Sequence, residues 1–261
     1  MPNRIDQTFH RLKQTRGKAL IGYVTAGYPA KKSFVALLLD LEQAGLDLIE
    51  LGVPFSDPIA DGPVIQKASQ VALENGVTLP WILDTVHRLR YYTDIPVVLM
   101  SYANPVLAYG LVRFFNDAHK TGVDGLIVPD LVIEEAGPFS RAAIATGVKI
   151  IFLVAPTTPI PRRKLIAEKT RGFLYAVSVT GVTGGRQALT PGLSRFVQSL
   201  KDVSPYPVAV GFGISTPDQA HAVASYADGV IVGSALIHEL GRSKKSAVRF
   251  IHALKGALDA S

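Results

Sequence analysis

Residues 207–234 of this chain read PVAVGFGISTPDQAHAVASYADGVIVGS. A short apolar run, residues 207–212, is followed by a stretch with helical periodicity, residues 218–226, and then by a second apolar run, residues 229–232. Short runs rich in Val and Ile are typical of strands buried on both faces, as in a parallel sheet. This segment therefore predicts a strand, a helix and a second, parallel strand.

The same alternation extends over the whole chain, where eight apolar runs are each followed by a helical pattern. The predicted strands are residues 19–25, 46–53, 95–102, 125–128, 149–154, 173–179, 207–212 and 229–232. The predicted helices are residues 33–43, 81–90, 111–120, 133–145, 162–169, 193–201, 218–226 and 246–257. Gly45, Gly122 and Gly147 follow three of them, where a helix C-terminus favours a residue that tolerates positive φ. No linker interrupts the series, so we predict one domain over residues 1–261.

Eight βα repeats can close into a barrel or form an open, doubly wound sheet. A dinucleotide-binding open sheet would carry G-x-G-x-x-G after its first strand, and residues 23–29, YVTAGYP, do not match that pattern. The last two predicted strands end in glycine, at residues 211–213 (GFG) and 233–234 (GS), where barrels often bind phosphate. These features favour an α/β fold of the (β/α)8 or TIM-barrel type, with an extra N-terminal helix.

The composition indicates a large core and excludes a disordered chain. Of 261 residues, 48% are hydrophobic and 18% are charged, below the roughly 25% charged residues of an average soluble domain. The net charge of +6 could attract nucleic acid or an anionic metabolite. However, the basic residues are spread at helix-like spacing, as in residues 161–171 and 241–255. This distribution favours solvated helix faces over nucleic-acid binding.

Several classes of site are absent from the sequence. The lack of cysteine excludes disulfides, thiolate metal sites and cysteine nucleophiles. The six histidines show no H-x-H or H-E-x-x-H spacing, so we expect no histidine-held metal. The N-terminal segment lacks the apolar core of a signal peptide, and no stretch approaches the ~20 apolar residues that span a bilayer. We therefore expect a cytoplasmic protein.

Two carboxylates are candidates for chemistry at the carboxyl ends of the strands, where barrels carry their active sites. Glu50, in LDLIELGVP, alternates in step with Leu48 and Gly52, so its side chain should point into the barrel. Burial there would raise its pKa. Its alternative role is an ion pair with Lys or Arg in the barrel mouth. Asp61 follows in PFSDPIADGPVIQ, whose D-P and D-G steps are also typical of turns, so a purely structural role for Asp57 and Asp61 stays open.

Glycines follow the sixth, seventh and eighth predicted strands, in residues 181–185 (GVTGG), 211–213 and 233–234. Backbone N–H groups there are open to an anion, and a short helix expected after Gly233 would add its positive N-terminal end. We therefore predict a phosphate site at this edge of the barrel. A Schiff-base aldolase is not expected, because Lys149 stands at the start of its strand, on the opposite face.

Residues 50–66, ELGVPFSDPIADGPVIQ, resemble the signature of the tryptophan synthase alpha subunit family. The resemblance covers essentially the whole chain, through residues 23–29 (YVTAGYP), 102–105 (YANP), 128–130 (VPD), 175–184 (YAVSVTGVTG), 211–213 and 233–234. It implies cleavage of indole-3-glycerol phosphate into indole and glyceraldehyde 3-phosphate. This retro-aldol reaction needs no metal or organic cofactor.

The resemblance also implies roles for individual residues. Glu50 would be the principal acid and base, acting on the indole carbon and the side-chain hydroxyl, and Asp61 would act at the indole nitrogen. Tyr175 would assist near the cleaved bond, unless it is only a core aromatic, and Thr183 would meet Asp61 when its loop closes. The phosphate would contact Gly184, Gly213, Gly233 and Ser234. The indole would contact Tyr23, Ile65, Met100, Ile127 and Phe212.

Two positions depart from the family pattern. Val179 stands where many members carry arginine or serine, and Gly185 precedes Arg186 where alanine is common. Both departures bear on loop closure and on affinity in the closed state, whereas Glu50 and Asp61 match the family.

The family pairs with a beta subunit that uses pyridoxal phosphate to join indole with serine, in an alpha2-beta2 tetramer. The resemblance places the contact surface at Pro54, Asp57 and Pro58 and at residues 102–105, close to Asp61. Binding of the partner could therefore be coupled to catalysis by ordering this loop.

Three other functions stay open. The chain could be a stand-alone indole-glycerol phosphate lyase, or a catalytically silent activator of the beta subunit, although the presence of Glu50, Asp61 and Tyr175 disfavours silence. A barrel that makes indole-glycerol phosphate, or isomerises a phosphoribosyl metabolite, would share the phosphate edge. Such synthases typically use a lysine at the active face, and the predicted strands offer none there.

Overall fold

The computed structural model describes residues 3–178, 191–211 and 213–260, and the strands in these residues form one parallel sheet. The strands are β1 (Ala19–Thr25), β2 (Leu48–Gly52), β3 (Val97–Met100), β4 (Gly125–Ile127), β5 (Lys149–Ile151), β6 (Leu153–Val154), β7 (Leu174–Val177), β8 (Val208–Gly211) and β9 (Gly229–Val232). Every predicted apolar run contains a strand, so the predicted barrel is confirmed.

The barrel closes through the fifth predicted run. The sheet order is β5, β4, β3, β2, β1, β9, β8, β7, β6, and its two end strands are separated in sequence by Phe152 alone. The Phe152 N–H donates to Thr170 Oγ1 at 3.1 Å, and its carbonyl accepts from the Tyr175 N–H at 3.1 Å. Because β5 pairs with β4 and β6 pairs with β7, the nine strands correspond to the eight predicted ones.

The helices lie between consecutive strands and at both ends of the chain. They are α1 (Arg4–Gln14), α2 (Phe34–Gln43), α3 (Pro63–Glu74), α4 (Leu79–Leu89), α5 (Ala103–Tyr109), α6 (Leu111–Thr121), α7 (Gly137–Thr146), α8 (Ile160–Lys169), α9 (Leu193–Lys201), α10 (Pro217–Ala224), α11 (Ser234–Arg242) and α12 (Lys244–Asp259). The predicted glycine ends are confirmed, since Gly122 and Gly147 have φ of 88° and 78°.

Two helices were not predicted from the sequence. Helix α3 begins at Pro63, inside a segment whose prolines and aspartates indicated a loop. Proline is favoured at the first position of a helix because the N–H that it lacks would have no partner there. Helix α5 has only seven residues, too few for a clear helical periodicity.

Alternate residues of each strand face two separate cores. Ile21, Leu48 and Ile231 belong to the interior cluster, which fills the barrel together with Val98, Ile127, Ile151, Phe173 and Ala209. Leu20 and Ile49 belong instead to the layer between the sheet and the surrounding helices. The predicted parity of strand β2 is therefore correct, because Leu48 points inward and Ile49 outward.

The predicted N-terminal helix, α1, closes the amino-terminal end of the barrel. Its residues Ile5, Phe9 and Leu12 are buried and complete the interior cluster. The side chain of Asn3 caps the helix by accepting from the Ile5 N–H. Asp6 of α1 pairs with Lys149, the first residue of β5, at 2.9 Å, so Lys149 indeed lies at the end of the barrel opposite the carboxyl ends of the strands.

Three aspartates hold neighbouring strands together at this end. Asp47, Asp124 and Asp228 each stand just before a strand and accept a hydrogen bond at 2.9 or 3.0 Å from a backbone N–H of the adjacent strand, those of Leu20, Val97 and Val208 respectively. Each aspartate also pairs with a cationic side chain, from Lys255, Arg90 and Lys201 respectively. The charge of each carboxylate is therefore compensated twice where the strands begin.

Among the helices that the structure describes, none is long and apolar enough to cross a membrane.

We predict that Asp124→Ala lowers the free energy of unfolding by about 3–5 kcal/mol, because it leaves the buried Arg90 guanidinium without its carboxylate. Asp124 and Arg90 side chains are 3% and 10% exposed, and their charged atoms are 2.8 Å apart. The matched control is Asp94→Ala. Asp94 forms an ion pair with Arg4, but its side chain is 90% exposed, so its removal should change the free energy of unfolding by less than about 1 kcal/mol. Urea unfolding of both variants measures the difference, and equal losses would contradict this role of Asp124.

Candidate active site

A cavity of about 330 Å³ opens at the carboxyl ends of the strands. Strand residues Tyr23, Glu50, Met100, Tyr175 and Ile231 form its floor, and the segments that follow the strands form its wall, with Asp61, Ile65, Gly213, Gly233 and Ser234. The structure thus brings both candidate carboxylates into one cavity, together with every other predicted site residue that it describes except Ile127. Ile127 is buried in the interior cluster beside Met100, in the neighbouring strand.

Glu50 is the buried acid of this cavity. Its side chain belongs to β2, and the residue is 1% exposed. Burial raises the pKa of Glu50 to about 8, and the nearby charge of Asp61 contributes to this rise. In the described part of the chain, Glu50 forms no ion pair with Lys or Arg, and its Oε2 has no hydrogen-bond partner. The alternative of a structural ion pair is therefore not supported there, and the carboxyl faces the cavity in a form that is protonated at neutral pH.

Asp61 combines a turn in its backbone with a side chain that faces the cavity. Its N–H donates to the Pro58 carbonyl at 3.3 Å, and its own carbonyl accepts from Gln66 Nε2 at 2.8 Å. Burial raises the pKa of Asp61 to about 6, while the nearby Tyr102 side chain acts in the opposite direction. Asp61 is therefore mostly ionised at pH 7, where Glu50 is mostly neutral, so the two carboxyls can play opposite roles in proton transfer.

Two glycines that the sequence did not single out for this purpose make room for tyrosine hydroxyls. A Cβ atom at Gly52 would overlap the hydroxyl of Tyr23, and one at Gly211 would overlap the hydroxyl of Tyr175. Both tyrosines are buried, and burial raises the pKa of each far above its ordinary value. Each hydroxyl thus keeps its proton and can act as a neutral hydrogen-bond donor.

The phosphate edge predicted from glycines is described in part. Gly233 precedes α11, and Ser234 is the first residue of this helix, so the short helix expected after Gly233 is confirmed. Gly213 has a φ of 79° and also lines the cavity. Backbone N–H groups at a helix N-terminus favour an anion. Thr183, Gly184 and Phe212 lie outside the described residues, as do Val179 and Gly185.

Sequence reasoning missed several residues of the cavity wall. His238 and Glu239 of α11, Phe250 of α12 and Ile214 and Ser215 after β8 all contribute to the lining. Helical spacing offers a signal for His238, because it stands four residues after Ser234 and thus on the same face of α11. Phe250 offers no local signal, since it is one apolar residue of an amphipathic helix. Among the described residues, no group of three or more His, Asp or Glu side chains could hold a metal ion.

Comparisons with known proteins agree with this geometry. A family model described as the tryptophan synthase alpha chain matches residues 9–259. The tryptophan synthase alpha chain of Geotalea daltonii is 50% identical over 236 residues, which cover 90% of this chain and 89% of that protein. The alpha chain of Geobacter sulfurreducens is 47% identical over 264 residues, covering 98% and 99%.

Solved structures show the same similarity over the full length. Tryptophan synthase from Mycobacterium tuberculosis superposes with a TM-score of 0.92 at 38% identity, covering 99% of both chains. The alpha subunit from Legionella pneumophila superposes with a TM-score of 0.92 at 38% identity, covering 100% of both.

We predict that Asp61→Asn lowers the pKa of Glu50, because it removes the negative charge that opposes ionisation of the Glu50 carboxyl. The pKa should stay above its ordinary range, since burial is the larger cause and is unchanged. Titration of the carbon-13 carboxyl signal of Glu50 measures it. Asp57→Asn is the control from the same loop, because Asp57 is exposed and should leave the titration of Glu50 unchanged. An equal effect of both substitutions would contradict a direct interaction of Asp61 with Glu50.

Proposed function

Since this chain belongs to the tryptophan synthase alpha chain family, we propose that Glu50 and Asp61 carry the proton transfers of its reaction. The chain cleaves indole-3-glycerol phosphate into indole and glyceraldehyde 3-phosphate, and it is therefore a carbon-carbon lyase of tryptophan biosynthesis. The two carboxyls differ in protonation at neutral pH, and this difference suits the proton transfers that the cleavage requires.

The reaction sets three requirements. The indole carbon that bears the side chain must gain a proton, the ring N–H must be polarised or lose its proton, and the adjacent side-chain hydroxyl must be deprotonated. The bond between the ring carbon and the hydroxyl-bearing carbon then breaks, its electrons restore the aromatic ring, and the hydroxyl carbon becomes the aldehyde. One proton is donated to carbon and one is removed from oxygen, so a single carboxyl can return to its starting state.

Glu50 meets the first and the third requirement. With a pKa of about 8, its carboxyl is protonated at neutral pH and can donate to the ring carbon. The carboxylate left behind is buried and therefore more basic than an ordinary carboxylate, and it takes the hydroxyl proton. The observation that carries this proposal is the carboxyl of Glu50, buried at the floor of the cavity with an Oε2 that lacks a partner among the described residues.

Asp61 meets the second requirement. Its pKa of about 6 leaves a carboxylate at neutral pH, which accepts the N–H of the ring and stabilises the positive charge that develops when the ring carbon is protonated. Tyr175, on β7, lines the same floor and would assist by donating a hydrogen bond, without transfer of its proton, to the oxygen on the hydroxyl-bearing carbon. From the family resemblance, we propose that Thr183 contacts Asp61 when the loop that carries Thr183 closes.

The two ends of the substrate differ in chemistry, and the cavity offers groups suited to each. We propose that the phosphate is bound by backbone N–H groups of Gly213 and Gly233 and by Ser234, together with Gly184. The indole would lie against Tyr23, Ile65 and Met100, which supply apolar surface in the same cavity, together with Phe212. Ile127 would support Met100 from below rather than contact the ring, because it is fully buried in the interior cluster.

We predict that Glu50→Gln lowers kcat for cleavage of indole-3-glycerol phosphate by ~10²- to 10⁴-fold, because the amide keeps the shape of the side chain but transfers no proton. In the wild type, activity should fall as pH rises through about 8, where Glu50 loses the proton that it donates. This alkaline decrease should disappear in the residual activity of the variant. Indole release measures both quantities, and Glu74→Gln, at the exposed end of α3, is the control. Activity within a few-fold of the wild type in a folded Glu50→Gln variant would contradict the role of Glu50.

The family works with a beta subunit, and the rim of the barrel supports a protein partner here. Four large apolar side chains are exposed in segments that follow β2, β3, β4 and β6, namely Ile59, Leu107, Val132 and Ile160. A partner that covered these side chains would remove their apolar surface from water, which favours association. We propose that this rim receives a pyridoxal phosphate-dependent beta subunit in an alpha2-beta2 tetramer, to which indole is passed.

The contact residues inferred from the resemblance divide by exposure. Asp57 and Asn104 are exposed, and Pro58 and Pro105 are half-buried, so these four can reach a partner directly. Pro54 and Tyr102 are buried and would act behind the surface. The stand-alone lyase is the alternative to the tetramer, and the exposed apolar rim favours the tetramer. A reducing cytoplasm suits a chain without cysteine, and we propose that location.

We predict that the isolated chain is a slow lyase and that a beta subunit raises its activity by ordering the loop that carries Asp57 and Asp61. Because coupling between two binding events is reciprocal, a substrate analogue with an indole ring and a phosphate should tighten subunit association by ~1 to 3 kcal/mol. Calorimetry with and without the analogue measures this change, and inorganic phosphate alone is the control. An unchanged dissociation constant, together with full activity of the isolated chain, would favour the stand-alone lyase.

A further inference from the structure

Tyr102 lies between the rim of the barrel and the catalytic cavity. It is the residue just before α5 and is 5% exposed. Its ring packs against Phe55 of the loop after β2, with the ring centroids 5.4 Å apart. A tyrosine of the third βα segment is thus held against the loop that delivers Asp61.

The hydroxyl of Tyr102 is shared by two neighbouring residues of that loop. It accepts a hydrogen bond from the Ala60 N–H at 2.9 Å, and it lies close enough to the Asp61 side chain to lower the pKa of that carboxyl. A tyrosine hydroxyl has a single proton, and an ionised carboxylate can only accept. Towards Asp61 the Tyr102 hydroxyl can therefore act only as a donor, while the Ala60 N–H fixes the position of its oxygen.

The backbone on either side of Tyr102 is fixed by the end of β4 and by the segment that follows β4. The preceding residue, Ser101, donates its N–H to the Ile127 carbonyl at the end of β4, and the following residue, Ala103, donates its N–H to Asp130 Oδ1 at 2.9 Å. The loop that carries Asp61 is held by short turns of its own, such as the bond from the Ile59 N–H to the Asp57 carbonyl at 3.0 Å. The hydroxyl thus joins an anchored backbone to a loop without regular structure.

We propose that Tyr102 is a positioning residue that orients the Asp61 carboxylate towards the cavity for the lyase reaction. The inference deepens the proposed function and rests on the catalytic role proposed for Asp61. It assigns no contact between Tyr102 and the substrate, because Tyr102 does not line the described cavity.

The groups that face Asp61 and Tyr102 determine the sign of the expected pH effect. Glu50 from β2 and Tyr23 from β1 interact electrostatically with Asp61, and Asp130 after β4 interacts with Tyr102. Burial and nearby negative charge raise the pKa of Tyr102 far above its ordinary value, so it remains a donor across the working pH range. Donation to the carboxylate lowers the pKa of Asp61, and loss of this hydrogen bond must therefore raise it.

The test is Tyr102→Phe in the full-length chain, which removes the hydroxyl and keeps the ring against Phe55. We expect kcat to fall by about tenfold or more at pH 7, with a smaller change in KM, because a hydrogen bond to a charged group is lost at the reacting end of the substrate. The decrease of activity on the acid side, near pH 6 in the wild type, should move to higher pH. A purely structural role of Tyr102 would lower stability without moving this acid limb.

Tyr109→Phe is the matched control, since it removes a hydroxyl from the same segment of the chain. The Tyr109 hydroxyl donates to Asp117 Oδ2 at 2.8 Å, away from the loop that carries Asp61, so its loss should leave kcat, KM and the acid limb unchanged. Thermal unfolding of both variants reports any change of stability that the two substitutions share.

Titration of the Asp61 carboxyl by carbon-13 NMR separates this inference from the proposed function. A higher pKa of Asp61 in Tyr102→Phe, together with the lower kcat, supports the inference. An unchanged pKa of Asp61 overturns it, whatever the role of Asp61 in catalysis. Full activity of Asp61→Asn overturns the proposed function of Asp61 and, with it, the catalytic purpose of Tyr102. In the double variant, Tyr102→Phe should cause no further loss beyond that of Asp61→Asn.

Discussion

A carboxyl group removed from water is the constraint on which the site depends. Glu50 is buried at the top of a closed barrel, above an interior cluster of aliphatic and aromatic side chains. An ionised carboxylate without compensation is so unfavourable in such surroundings that the group holds its proton instead, and its pKa rises to about 8. The apolar residues that stabilise the barrel therefore also keep an acid protonated at neutral pH, as the proposed reaction requires.

The two ends of the barrel divide stability from function. At the amino-terminal end, three carboxylates have both hydrogen bonds and cationic partners, those of Asp47, Asp124 and Asp228. Helix α1 covers the interior cluster at this end. At the carboxyl-terminal end, Gly52 and Gly211 leave space for hydroxyls, and the cavity remains open. The same parallel strands supply both ends, because each strand contributes its first residues to one and its last residues to the other.

One short segment connects the rim of the barrel with the loop that carries Asp61. The backbone on either side of Tyr102 is anchored to Ile127 and Asp130, while its side chain reaches back to the loop of Asp61. Exposed residues of the same loop and of α5, Ile59 and Leu107, lie on the rim that a partner would cover. A partner that contacts these residues can therefore change the setting of Asp61 without touching the cavity.

The sequence by itself determined the eight strands, the barrel and the glycine-rich edge, because buried runs and glycine ends are properties of short stretches. Parity along β2 also predicted that Glu50 points inward, and residues 50–66 indicated the family. Helix α3 escaped prediction because its local signals resemble those of a loop. Only the tertiary structure decided the place of Tyr102 and the use of Gly52. Hydrogen-bond partners and desolvation depend on residues far apart in the sequence, and closure of the barrel brings these residues together.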